Sequence, residues 1–309
     1  MFRLQNLIQR TVKKFWKEIL VITLYLILTL ILLYPFSALN IGTELIGDGG
    51  DGYQSLWNLW WVKRSTLNFT NPYVTDHLYY PYGADLYVHS LSIAAGFLTI
   101  PFQLTLGLVF SYNLIVILSF VLGGYGAYRL AYHITADRKA SFFGGLVFAF
   151  SAYHFARALE HMNLVSIQWI PFYILFLLKM RQEKSLKNVF FAATFLILTG
   201  LTADLQYVLF LALFTVFFVA YEFVSNKEQI AKFLVKLGIM TLFSAIFMVL
   251  LLAPMISGFF AGKYDYAASS PSDSVALSAD LLAFFTPNSR NLFFGSYTAG
   301  VISNFSSSP

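Results

Sequence analysis

Two aspartates, Asp48 and Asp51, stand among four glycines in "GDGGDG", directly after the first apolar run of the chain. A carboxylate in such a turn can take a proton from a nucleophile or ligate a divalent cation. Three further polar residues gather in "FARALEHMN", where Arg157, Glu160 and His161 offer a fixed cation, a carboxylate and a titratable base. With His154 they are spaced three or four apart, so on one continuous helix they share a face. Glu160 and His161 do not form a metal motif by spacing, because adjacent helical residues point apart. Asp204, in "TADLQ", lies between two apolar runs, where a carboxylate is costly and therefore suspect. Each group also has a plainer role. Asp51 with Gln54 matches a capping box, Asp204 matches a helix N-cap, and the 154–161 cluster matches a charged helix end.

The rest of the sequence must hold these groups beside a bilayer. Of 309 residues, 58% are hydrophobic and 11% charged, well below the roughly 25% charged of a soluble domain. Apolar runs of about 20 residues match the hydrocarbon thickness, and no alternating strand pattern suggests a β-barrel. The composition therefore predicts an all-α, polytopic membrane helix bundle. Cysteine is absent, which excludes disulfides, thiolate metal sites and a cysteine nucleophile. The net charge of +5 follows topology and is no sign of nucleic-acid binding. The first apolar run, after a basic head, has no small-residue cleavage site and reads as a retained helix.

Eight apolar segments are legible: 19–39, 90–110, 112–133, 140–157, 164–179, 188–201, 205–224 and 232–258. Eight crossings from a cytoplasmic N-terminus would leave most basic residues outside, against the positive-inside rule. Seven crossings repair this if 90–110, broken by Gly96, Pro101 and Gly107, dips into the membrane without spanning it. Fifteen of the 20 Lys and Arg then face the cytoplasm, and 10 of the 15 acidic residues face outward. The expected organisation is a transmembrane domain over 1–258, with a first outer loop over 40–89, and an outer region over 259–309. The chain is expected in the plasma membrane with its reactive loops outside.

Within the first loop, Tyr53, Leu56, Trp57, Trp60 and Trp61 follow the spacing of one helix face. They predict an interfacial helix over 52–66, its tryptophans at the membrane surface and Lys63 and Arg64 reaching lipid phosphates. The adjoining "NPYVTDHLYYPYGADLYVH" offers aromatics for sugar stacking or for an interfacial girdle, the girdle being the commoner use. No Walker, Rossmann, nucleophile-elbow or zincin motif is present.

This arrangement resembles the GT-C glycosyltransferases, such as protein O-mannosyltransferases and oligosaccharyltransferase catalytic subunits. The resemblance rests on the outer-loop acidic motif "GDGGDGYQSLWNLWW"; more closely, "NPYVTDHLYYPYGADLYVHS", "FAFSAYHFARALEHMNLVSIQWIPF" and "ADLLAFFTPNS" resemble uncharacterised polytopic prokaryotic proteins loosely grouped with these transferases. It covers nearly the whole chain, and its motifs are moderately specific. It implies a GT-C-like fold and transfer of a sugar from a polyprenyl-phosphate donor to a glycan, lipid or protein acceptor at the outer face. The catalytic role would fall on Asp51 or Asp48, with Glu160 as a second acidic residue of the site. If a divalent metal takes part, Asp48 and Asp51 are its candidate ligands. Arg157, His161, Lys63 and Arg64 would bind the phosphate, with Asp204 in the substrate region. Residues 259–309 would be the start of a longer outer region. The competing class is a non-enzymatic membrane protein: a transporter, a flippase or an accessory protein of envelope glycan assembly. Coupled transporters hold charges in mid-crossing, and Val189–Leu201 and Leu237–Leu252 hold none.

Overall fold

A computed structural model describes residues 2–34, 40–47, 49–225, 227–264, 270, 272, 278–287 and 294–303. The candidate Asp48 and parts of 259–309 lie outside these residues. The chain divides into two compact units, 1–253 and 254–309.

The first unit is built of helices. They are α1 (Phe2–Leu32), α2 (Asp51–Leu67), α3 (Ile93–Thr105), α4 (Leu108–Thr135), α5 (Arg138–Ala149), α6 (Ala152–Ala158), α7 (Met162–Val165), α8 (Ile170–Gln182), α9 (Lys187–Thr202), α10 (Leu205–Ser225) and α11 (Lys227–Phe260), the last running into the second unit. Five stretches are long and apolar enough to cross a membrane, within α1, α4, α7–α8, α10 and α11. They mark the chain as a membrane-associated protein. The apolar segment 90–110 is a 13-residue helix around Pro101, about 20 Å long and short of a bilayer core. The expected crossing 140–157 is two helices, α5 and α6, and 188–201 is the 16-residue α9. Within the second unit, Tyr264 packs edge-on against Phe259, with ring centres 5.1 Å apart.

The helix α4 is the axis of the first unit, packing on α1, α5 and α8. It approaches α5 so closely that a Cβ on Gly145 would overlap the Gly124 carbonyl and the Tyr25 hydroxyl. Small residues let helix backbones touch in an apolar setting, where packing supplies the attraction. Tyr25 of α1 fills the seam and donates a hydrogen bond to the Phe142 carbonyl at 2.9 Å.

The first loop is fastened to this bundle by polar groups. Asn113, fully buried in the first turns of α4, accepts from the Ile46 amide at 2.8 Å. Its own amide donates to the carbonyls of Ile41 and Glu44 at 2.8 and 2.7 Å. The helix α2 presses a small and polar face inward: Gly52, Ser55, Asn58, Leu59, Val62 and Ser65 are buried. This changes the expected placement of its tryptophans. Trp61 is buried and donates its indole N–H to the Pro72 carbonyl at 2.8 Å, so that N–H does not meet headgroups. Trp57 and Trp60 are half-buried against the same cluster, Trp57 stacked on Trp61 and Trp60 edge-on to His77 of the same loop, each with ring centres 5.8 Å apart. Beyond α2 the chain makes a short antiparallel pair, Val74 opposite Asp85 and Thr75 opposite Ala84. It is then tied back when Asn58 donates to the Ser90 carbonyl at 3.0 Å and its side-chain oxygen meets His89 Nε2 at 2.8 Å.

These anchors yield two expectations. Asn113→Ala leaves the buried Ile46 amide and two carbonyls without partners, a loss of about 2 kcal/mol or more. Thermal unfolding in detergent should fall accordingly, and protease should cut near 40–47 faster than in the parent. Burial pushes the His89 imidazole below its ordinary value, so the folded loop favours the neutral ring. The unfolded loop then binds more protons, and the stability from this tie is complete above the ordinary histidine value and is lost as pH falls below it. Protection factors for hydrogen exchange at 86–92, taken relative to the intrinsic rate at each pH, should fall on acidification in the parent, and His89→Gln should flatten that response.

Candidate functional site

The glycine turn sets where Asp51 lies. Gly49 and Gly50 both have positive φ, and α2 begins immediately after them at Asp51. Gly50 is the capping residue, with no side chain bonded to the helix N-terminus. The capping box expected of Asp51 and Gln54 is therefore not formed. The Asp51 carboxylate instead faces across the chain to His161, with Oδ2 3.5 Å from Nε2. The aspartate side chain is 64% exposed and the histidine 28%, so the pair lies open to solvent on the aspartate side.

The opposite half of the site comes from a broken helix. Ser151 caps α6 by accepting from the His154 amide at 3.3 Å, which restarts the helix after α5 ends. The break turns His154 inward and away from the face expected to hold it with Arg157, Glu160 and His161. Its Nδ1 meets the Ala149 carbonyl at 2.7 Å, and its Nε2 lies 2.9 Å from both the Val165 carbonyl and Ser119 Oγ. The ring stacks on Phe120 at 4.0 Å. This histidine is structural.

A second break, between α6 and α7, carries Glu160 and His161 toward α2. A Cβ on Gly47, whose φ is +116°, would overlap the Leu159 carbonyl oxygen. One on Gly50 would stand 3.2 Å from the Glu160 carboxyl carbon. The glycines are needed because the first loop lies directly on Leu159 and Glu160. Outside a helix, adjacent residues need not diverge, so Glu160 approaches Gly50 while His161 faces Asp51.

One helical turn before His161 stands Arg157, whose guanidinium lies over the Tyr153 ring at 5.5 Å. Among the described residues Arg157 forms no salt bridge, and its Nε is buried without a hydrogen-bond partner. His161 Nδ1 and the Tyr112 hydroxyl are likewise buried and unpartnered. Tyr112 lies beneath Gly52, its hydroxyl 3.2 Å from where a Cβ would stand. Unpaired buried polar groups are costly, and three of them stand on the elements that surround Asp51.

Asp204 belongs to the same end of the bundle. It precedes α10 and accepts from the Gln206 amide at 3.3 Å, as a helix-start residue does. Its other oxygen receives Ser90 Oγ and Asn163 Nδ2, each at 3.4 Å, so it joins the first loop to α7. Tyr207 of α10 bonds Tyr153, the tyrosine under Arg157, and donates to the Leu164 carbonyl at 3.0 Å. Lys63 and Arg64 do not join the site. They lie about 18 Å along α2 from Asp51, and Arg64 rests on Trp60 at 5.6 Å. Among the described residues no three carboxylate or imidazole groups converge to hold a metal ion. Asp51 and His161 supply two such groups.

Sequence reasoning missed Tyr112, Tyr153 and Asn163. Nothing distinguishes two tyrosines among 19 in so aromatic a chain. Asn113 carried a readable signal, as an amide inside an apolar run, where polar groups are expensive.

No curated protein matches the chain. A family model described as a domain of unknown function, DUF6311, matches residues 7–304. The match takes in both units and every described residue of the site, and the chain belongs to the DUF6311 family.

Proposed function

We propose that this protein is a GT-C-type membrane glycosyltransferase that moves a sugar from a polyprenyl-phosphate donor to an acceptor at the outer face of the plasma membrane. The observation that carries this reading is the meeting of Asp51 with His161, from segments 110 residues apart, one turn from an arginine that has no counterion among the described residues. In the proposed step, the Asp51 carboxylate takes the proton of the acceptor hydroxyl or amide as its oxygen or nitrogen attacks the anomeric carbon. The bond from that carbon to the phosphate oxygen breaks in the same displacement, and the electron pair leaves with the polyprenyl phosphate. The leaving phosphate gathers negative charge, which the Arg157 guanidinium neutralises while the His161 imidazole offers a hydrogen bond. Glu160 and Asp204 present carboxylate acceptors to sugar hydroxyls, and lipid surrounds the helices that carry them.

The distribution of charge supports the orientation. Arg129, Arg138, Lys179, Arg181 and Lys236 cluster where α4, α8 and α10 end and α5 begins, opposite the Asp51 end. By the positive-inside rule that basic end faces the cytoplasm, which leaves Asp51 outside. We propose seven crossings: α1, α4, α5 continued by α6, α7–α8, α9, α10 and α11, with α3 held within one leaflet.

The test is transfer from a polyprenyl-phosphate sugar in membranes, with folding checked by gel filtration in detergent. Because Asp51 does not cap α2, Asp51→Asn should keep the fold while transfer falls by ~10²–10⁴-fold, the usual cost of losing a general base. Arg157→Gln should lower transfer without altering the pH profile. Transfer by Asp51→Asn at the parent rate would remove the main support for the assignment and favour a non-enzymatic role. A cysteine-labelling scan, simple in a chain without cysteine, should mark 182–184 from the cytoplasm and 49–52 from outside. The reverse pattern would put the site on the wrong face for such a donor.

A further inference from the structure

The opposite, basic end of the first unit holds a second feature that the transfer reading does not use. A cleft of about 250 Å³ opens between the last turns of α4 and α8, lined by Arg129, Tyr132, His133 and Lys179. The lining carries two fixed cations, an imidazole and a phenol, and no carboxylate. Among the acids at this end, Glu18 of α1 is divided between two guanidiniums, Arg129 at 3.8 Å and Arg138 at 3.3 Å, and Glu222 pairs with Arg181 at 2.8 Å. Arg129 also donates to the Tyr125 hydroxyl at 2.9 Å, which holds the guanidinium in place. His133 Nε2 is buried and has no hydrogen-bond partner.

Cations at a helix C-terminus are favoured by the helix dipole and are common without a ligand. Two observations go beyond that. The cations line a cavity of their own, and the buried imidazole nitrogen has nothing to bond. Both are met by a compact anion with several acceptor oxygens. A phosphate ester fits best, since it offers the planar guanidinium paired oxygens and leaves others for the imidazole and the ammonium.

We infer that this cleft binds the phosphate group of an anionic ester at the basic surface of the bundle. Two sources share that chemistry, a phospholipid headgroup and a soluble phosphate. The position in the final turns of two apolar helices, at headgroup depth, makes the lipid the natural supply. The site is independent of Asp51 and of the transfer reaction.

The experiment uses the full chain in nanodiscs of phosphatidylcholine, alone or with phosphatidylglycerol, and reads retained lipid by native mass spectrometry. Inorganic phosphate, titrated against the phosphatidylcholine sample by calorimetry, is the second arm. Lys179→Gln and His133→Gln are the variants, chosen because both leave the Glu18 pairs intact, and Gln54→Ala, at an exposed uncharged position of α2, is the control. Removing one fixed cation near a surface weakens anionic-lipid binding about fivefold. Phosphatidylglycerol should be retained by the parent and the control, about fivefold less by Lys179→Gln, and less by His133→Gln. Binding of inorganic phosphate that responds to both variants, without lipid retention, would keep the anion site and assign it to a soluble phosphate. If Lys179→Gln fails to fold, His133→Gln alone decides. Lipid and phosphate binding that ignore the folded variants, or no binding of either, would overturn the inference.

Discussion

The end of the bundle that carries Asp51 depends on one buried imidazole. His154 joins three segments that would otherwise be only neighbours: the end of α5 through Ala149, the middle of α4 through Ser119, and the end of α7 through Val165. Both carbonyls lie where a helix stops and its last acceptors have lost their partners in the chain. In an apolar setting such groups must be met internally. The imidazole donates to one of them and the Ser119 hydroxyl donates to the Val165 carbonyl, and together they permit two helix breaks within fifteen residues at the mouth of the bundle. Without the breaks, 150–165 would continue as one rod, and Glu160 and His161 would diverge around it.

The two breaks also allow the first loop to sit close against the bundle. The backbone of Gly47 rests on the Leu159 carbonyl at a distance that excludes a side chain, and a Cβ on Gly50 would crowd the Glu160 side chain at 3.2 Å. Asn113 holds the preceding turn from below through three hydrogen bonds. Asp51 is therefore placed by packing on both sides, although its own side chain is largely exposed. The cations are segregated to the other end of the same helices, where Glu18 and Glu222 pair with Arg129, Arg138 and Arg181.

Much of this was legible in the sequence, because the signals were strong and local. Among the described residues every apolar run is mostly helix, since run length and composition fix that choice in a chain so poor in charge. The pairing of Asp51 with the 157–161 cluster was readable only as a convergence of polar loops on one surface. Its geometry was not, because it depends on a break that helical periodicity cannot register. The clue was Ser151, a good capping residue just before "AYH", inside a run otherwise read as continuous. The environment of α2 escapes periodicity for a related reason. Tryptophan spacing shows which residues share a side, but not whether lipid or the protein's own loop covers them. Lys63 and Arg64 share a helix with Asp51, but its length carries them away from that carboxylate.

The loop that covers those tryptophans has a core of its own. Trp61, Val62, Leu86, Leu91 and Ile93 are buried together, with Trp57, Trp60 and Tyr73 packed around them. That core is continuous with the bundle beneath it. Ile46 and Leu59 belong to the main core beside Tyr112 of α4, and Leu201 of α9 packs on the loop's own cluster. Segments that share an apolar interior tend to open together. Opening the roof beside Asp51 therefore disturbs the helices on which it rests, and access to that carboxylate is coupled to the packing of the bundle.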